Sequence, residues 1–393
     1  MLNEKMLNLG ENRSVIREIF EFGNKRRAEV GAENVYDFSL GNPSIPAPKE
    51  VNETMKKLLT ELDPVKLHGY TSAQGAPDVR KTIADSINKR FGVNANPDLI
   101  YMTCGAAASL TICLNAICND GDEVIALAPF FPEYRVFVEK AGAKLVVAKC
   151  RESDFQIDFA ALENAITKNT KAIIVNSPNN PTGVVLSKDT IVKLASLLNK
   201  KQAEFGKRIF IICDEPYREL AYDVEVPYIP SFYDNTLVCY SYSKSLSLPG
   251  ERIGYIFVSP KIENAGKVYA AVCGAGRALG FVCAPSLLQF TVRDCVDLIG
   301  DVSAYKKNRD LLYGALTEYG YKAAKPDGAF YLFIKSPEAD ANAFCERAKK
   351  YDLLLVPSDS FGFEGYVRIS YCVSYSQIEK SLPYFKKLID EYK

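Results

Sequence analysis

The stretch TLVCYSYSKSLSLPGERIGYIFV, residues 236–258, decides the reading of this chain. Apolar, β-branched and aromatic residues at both ends predict two strands. Between them, SYSKSLSLPGERIG (241–254) predicts a tight loop with a Pro-Gly turn and a lysine, Lys244, among small and hydroxyl residues. Arg252 follows eight residues later. A nearby cation and partial removal from water both lower a lysine pKa, and a neutral amine can form a Schiff base. Hydroxyls and a guanidinium also suit a phosphate dianion. Both requirements together describe pyridoxal phosphate. A lone lysine of this kind is more often a solvated loop residue, so the rest of the chain has to carry the argument.

Composition narrows the field. The 393 residues suffice for two domains and a sizeable core. Lys+Arg and Asp+Glu are equal at 48 each, so no basic excess points to nucleic acid. The N-terminus lacks the apolar stretch of a signal peptide, and no apolar run reaches membrane-span length. Eleven cysteines, none in a CxxC pair, sit mostly in apolar segments. They read as small core residues of a cytoplasmic protein, not as a disulfide frame. The single histidine, His68, argues against a His-based metal site or a Ser-His-Asp triad.

Along the chain, residues 11–30 have helical apolar spacing, and YDFSLGNPSIPAP (36–48) is an extended piece ending in a Pro-rich connector. From Leu99 onward, short apolar runs (LIYMTC, EVIALA, KLVVAK, KAIIVN, RIFIIC) alternate with helical segments. That alternation predicts a doubly wound, mainly parallel α/β sheet. After Pro285 a long helical region, 286–319, leads to a smaller α+β part with GAFYLFIK, LLLVPS and YVRISYC as strands. The expected division is 1–48 as an N-terminal piece of the small domain, 49–285 as the large cofactor-binding domain, and 286–393 as the remainder of the small one.

Four further stretches join Lys244. In TCGAAASL, small residues Gly105, Ala106 and Ala107 open a helix, whose free N–H groups and dipole can hold a phosphate. NSPNNPTG places Asn180 after a strand, at the end where open α/β sheets bind ligands. In IFIICDEPYREL, Asp214 ends an apolar strand, where a carboxylate is costly without a cationic partner such as a protonated pyridine. Tyr217 follows three residues later. In YVRISYC, Arg368 lies among apolar residues and needs an anion, and its fork fits a carboxylate. Each stretch alone has an ordinary reading: close packing, a turn, a helix cap, a structural ion pair.

Together, NNPTG, DEPY and SYSKSLSLPGERIG resemble, in order and spacing, the class I/II aminotransferases among the fold-type I pyridoxal phosphate enzymes. The resemblance runs from about Ser14 to Arg368. It implies pyridoxal 5'-phosphate as cofactor, with Lys244 as Schiff-base lysine and proton shuttle and Asp214 as partner of the pyridine nitrogen. It implies Asn180 and Tyr217 at the ring oxygen, Phe131 of APFFPEY stacked on the ring, and Ser241, Arg252 and the Gly105–Ala107 backbone at the phosphate. Tyr70 of HGYTSAQG is implied to reach the neighbouring subunit's phosphate, hence a homodimer. Arg368 is implied to hold the substrate α-carboxylate, with Gly41 and Asn42 in a segment that closes over the substrate.

The implied activity is transfer of an amino group from an L-amino acid to a 2-keto acid by a ping-pong mechanism. A carbon–sulfur β-lyase of the same fold would use nearly the same residues. A cofactor-binding regulator would need a DNA-binding domain that is not visible here. In one respect the chain departs from the bacterial aspartate aminotransferases of the family it resembles. Ala107 stands where they often carry a lysine for the distal carboxylate, which leaves either a neutral side-chain preference or another cation. Arg277, in GAGRALGFVCAPS, is one such cation, although a solvent-facing loop arginine is the commoner reading. His68 is assigned a structural role.

Overall fold

A computed structural model describes residues 2–11 and 15–393. Ser14, the first residue of the resemblance, and part of the helix expected over 11–30 lie outside them. The described helices there are Glu4–Glu11 and Val15–Val30. The strands are β1 (Tyr36–Asp37), β2 (Ile100–Thr103), β3 (Glu123–Ala128), β4 (Lys144–Lys149), β5 (Thr170–Asn176), β6 (Phe210–Asp214), β7 (Thr236–Ser241) and β8 (Gly254–Val258). They are followed by β9 (Tyr331–Lys335), β10 (Leu353–Leu354), β11 (Val356–Pro357) and β12 (Tyr366–Ser370).

Seven of these strands form one sheet, in the order β2-β8-β7-β6-β5-β3-β4. All neighbours are parallel except at β8, which runs antiparallel to both β2 and β7. The strands are apolar throughout because both faces are covered. In β5, Ala172 and Ile174 face one core and Ile173 and Val175 the other; Phe210 to Cys213 in β6 alternate likewise. One layer includes Ala106–Ile117, apolar on nearly all sides, which packs on Ala265–Ala278. The other includes Pro77–Phe91 and Lys188–Phe205. Ser187 accepts a bond from the Thr190 amide at the start of the latter helix, and Gly206 closes it in the left-handed conformation.

Both chain ends build the smaller α+β unit. β12 lies between β11 and β9 in an antiparallel three-stranded sheet, and β1 pairs in parallel with β10. Tyr36 and Phe38 pack with Phe330, Leu353 and Phe385. Two local expectations need correction. The region 286–319 is two helices, Ser286–Cys295 and Val302–Tyr319. The first packs on Lys49–Glu61 and buries Leu288, Phe290 and Val292 in the large-sheet core, so the change of core falls after Cys295 instead of after Pro285. Lys244 sits not on a plain loop but in a one-turn helix, Tyr242–Ser245, that continues directly from β7.

Candidate active site

The C-terminal ends of β5, β6 and β7 open into a cleft of about 290 Å³ between the two units. Strand alignment explains the convergence: Asn176 is level with Asp214, and Asp214 with Cys239. The cleft is lined by Gly41, Ala106, Ala107, Phe131, Asn180, Asp214, Tyr217, Ser241, Lys244, Arg252 and Arg368, all singled out in the sequence.

At one end, Gly105 precedes the 12-residue helix Ala106–Ile117 with φ of 89°. That conformation favours glycine, and a Cβ there would also lie 2.7 Å from the Arg252 guanidinium and displace it. Arg252, itself at φ 55°, donates to the Pro249 carbonyl. The Ser241 and Ser243 hydroxyls are 2.7 Å apart, and Ser241 caps the one-turn helix. Two hydroxyls, a guanidinium and free helix amides form an anion cup.

In the middle, the Asp214 carboxylate is 5% exposed. Its Oδ2 accepts from the Tyr134 hydroxyl at 2.5 Å, and its Oδ1 has no partner. Burial pushes its pKa up to about 6, with the Tyr134 bond opposing. Lys244 Nζ donates to the Gly41 carbonyl at 2.6 Å and lies 5.3 Å from the Phe330 ring centre. Burial lowers its pKa to about 8, and Arg252 and Arg368 act in the same direction.

At the far end, Arg368 is 2% exposed. Nη1 donates to Asn180 Oδ1 at 3.1 Å and Nη2 to the Ser39 carbonyl, while Nε has no partner. The guanidinium lies 4.8 Å from the Tyr331 ring centre and 5.2 Å from that of Phe361. Among the described residues it meets no carboxylate within ion-pair distance. A buried, unpaired guanidinium calls for an anion. Tyr217 and Tyr331 share a 2.8 Å hydroxyl contact, and burial holds the Tyr217 phenol well above its usual range.

The N-terminal segment is pinned over this site. Asp37 accepts from Arg27 and from the Ser39 amide and hydroxyl, and Phe38 bonds both to Leu354 and to Ser370. A Cβ on Gly41 would meet the Tyr331 hydroxyl at 2.0 Å. Only glycine lets the segment cross that ring.

Sequence reading missed Tyr331, Tyr134, Ser243, Leu40 and Ile16. Tyr331 lies in GAFYLFIK, which read as a strand with no chemical feature, and its role depends on the pairing of β9 with β12. Ser243 is the one that had a signal, since it lies in the hydroxyl-rich run. Tyr70, 89% exposed, and Arg277, exposed in the last turn of Ala265–Ala278, lie outside this protomer's cleft. His68 is exposed and is also outside it.

The comparison with protein families turns this geometry into an assignment. Residues 33–383 match the model described as aminotransferase class I and II. The chain belongs to that family. It is 31% identical over 392 residues to the probable aspartate aminotransferase of Methanocaldococcus jannaschii, covering 96% of this chain and 97% of that one. It is 28% identical to aromatic-amino-acid aminotransferase 2 of Thermococcus litoralis, with 97% of each chain covered. Among solved structures, an aminotransferase from Eubacterium rectale superposes with a TM-score of 0.98 at 58% identity, covering 100% of this chain and 99% of that one. Thermus thermophilus aspartate aminotransferase with maleate gives 0.87 at 27%, with 99% of each covered. This aminotransferase is therefore a pyridoxal phosphate-dependent enzyme that moves an amino group from an L-amino acid to a 2-keto acid by a ping-pong route. The elimination alternative is not favoured, because these relatives are named for transfer.

Proposed function

We propose that the cleft is the cofactor and substrate site of this aminotransferase, with Lys244 as the residue that carries the cofactor and moves the substrate proton. The observation that carries the reading is the unpartnered, buried Asp214 Oδ1 in one cleft with a buried lysine of lowered pKa and a buried arginine whose Nε is unpartnered. These residues fit pyridoxal phosphate. The Gly105–Ala107 amides, Ser241, Ser243 and Arg252 would hold the phosphate. Asp214 would hold the protonated ring nitrogen, Asn180 and Tyr217 the ring oxygen, and Phe131 one ring face. When bound, the cofactor accepts the electron pair left on the substrate Cα as its proton departs.

Arg368 would bind the substrate carboxylate through its unpartnered Nε and the Nη groups that now donate to Asn180 and Ser39. Lys244, with its pKa near 8, is neutral in a useful fraction at neutral pH and can take the Cα proton and return it. Tyr331 and Gly41, packed against each other, line the same cleft. Tyr70 is proposed to complete the phosphate site of a partner in a homodimer. A cytoplasmic setting and a part in amino acid metabolism belong to the same proposal: the eleven free cysteines are compatible with the first, and the transaminase reading carries the second.

Borohydride reduction of the cofactor-loaded protein, followed by peptide mapping, tests the assignment. The adduct is expected on Lys244, and Lys244→Ala is expected to lose turnover while still binding cofactor. An adduct on a different lysine overturns the reading.

A further inference from the structure

Resting on the site assignment above, we infer that the preferred amino donors are L-amino acids with uncharged, apolar side chains, and that Ile16 is a specificity-determining residue. The cleft contains three cations among the described residues, Lys244, Arg252 and Arg368. Each is committed: Lys244 to the proton transfer, Arg252 to the anion cup beside Gly105, Arg368 to the carboxylate. A second carboxylate on the substrate would find no free positive charge on this chain, and bringing it into the cleft unpaired is costly.

The remaining surface there is of a different kind. Ile16, Leu40 and Leu110 line the same cleft, beside Ala107 and Phe131, which are placed at the cofactor. Ile16 stands near the start of the helix Val15–Val30, and it packs against the cluster of Leu354, Val356 and Phe361. Phe361 is also a ring facing the Arg368 guanidinium. The Ile16 side chain is thus held close to where the substrate carboxylate would dock, and within reach of whatever extends from the same Cα. Leu40 is tied nearby, because its carbonyl accepts from the Cys372 thiol and the adjoining Ser39 carbonyl accepts from Arg368. An apolar wall beside a carboxylate clamp selects for hydrocarbon and thioether side chains through burial alone.

The test uses the holoenzyme and follows the first half-reaction by the loss of cofactor absorbance. Donors are leucine, methionine, phenylalanine, alanine, aspartate and glutamate. Leucine, methionine or phenylalanine is expected to exceed aspartate and glutamate in kcat/KM by about 10-fold or more. In Ile16→Ala the ratio of leucine to alanine kcat/KM is expected to fall about 10-fold, since a hydrophobic pocket discriminates by roughly that much for small changes in filled volume. Aspartate or glutamate reacting as fast as leucine in the unaltered protein overturns the inference, and shows that a cation from elsewhere, such as a partner subunit, reaches the site. An unchanged leucine-to-alanine ratio in Ile16→Ala removes Ile16 from the specificity assignment. Failure of the underlying assignment looks different: no donor of any class then changes the spectrum.

Discussion

At the residue scale, the cost of Asp214 is visible in the protein without cofactor. A carboxyl raised from its ordinary 3.8 to about 6 holds its proton more tightly folded than unfolded. Its contribution to stability is therefore full below 3.8 and is lost as pH rises to about 6. Asn cannot ionise. Cofactor-free Asp214→Asn should accordingly melt at a higher temperature than the unaltered protein above about pH 6, with the advantage gone below 3.8. In the holoenzyme the same change should lower kcat by about 100-fold, about 2.7 kcal/mol of barrier, by removing the charge that keeps the ring protonated. Scanning calorimetry across pH and steady-state kinetics check the two halves. A melting curve that keeps the same order at every pH refutes the buried-charge account. Arg368→Lys removes the fork but not the charge. KM should rise about 10-fold for all amino donors alike, because every donor shares the α-carboxylate. A change confined to one donor would mean that Arg368 reads the side chain.

At the scale of elements, the two segments that carry the proposed cofactor residues are tied together. Glu219, two residues after Tyr217, pairs with Arg90 at 2.9 Å and accepts from the Tyr240 hydroxyl at 2.8 Å. Tyr240, in β7, is also 2.9 Å from the Ser245 hydroxyl, next to Lys244. The Tyr240 ring stacks on Tyr255 at 4.9 Å and faces the Arg218 guanidinium at 5.0 Å. Tyr240→Phe keeps that packing and removes only the hydroxyl. It should cost about 1–3 kcal/mol in unfolding free energy, the usual penalty for leaving a buried polar partner unsatisfied. Urea denaturation measures it, and a value near zero would show that water or Arg90 alone satisfies Glu219.

For the whole molecule, the exposed Tyr70 and the cleft of the same protomer are separate. If Tyr70 serves a partner's phosphate site, Lys244→Ala and Tyr70→Ala proteins should each be impaired, yet regain activity when refolded together. Random pairing then restores one intact site in each mixed dimer, about a quarter of the original activity. No recovery in a preparation shown by light scattering to be dimeric refutes the shared site.

Local chemistry accounts for what was legible in the sequence. Strands covered on both faces become continuous apolar runs, so the alternation from Leu99 to Val258 determined the sheet without any knowledge of contacts. Residues whose type is conspicuous where it stands were readable one by one: Lys244 among hydroxyls, Asp214 ending FIIC, Arg368 inside YVRIS. Tertiary structure alone decided what depends on pairing across distance. Tyr331 became part of the site because β9 lies beside β12, Tyr134 because its hydroxyl reaches Asp214 at the end of β6, and Ile16 because the N-terminal helix packs on the cluster that contains Phe361. An aromatic or aliphatic residue looks the same in a core and in a cleft wall, since burial in either satisfies it equally. Helix Ser286–Cys295 carried the same ambiguity: its apolar stripe fitted either core, and only packing on Lys49–Glu61 assigned it to the larger one.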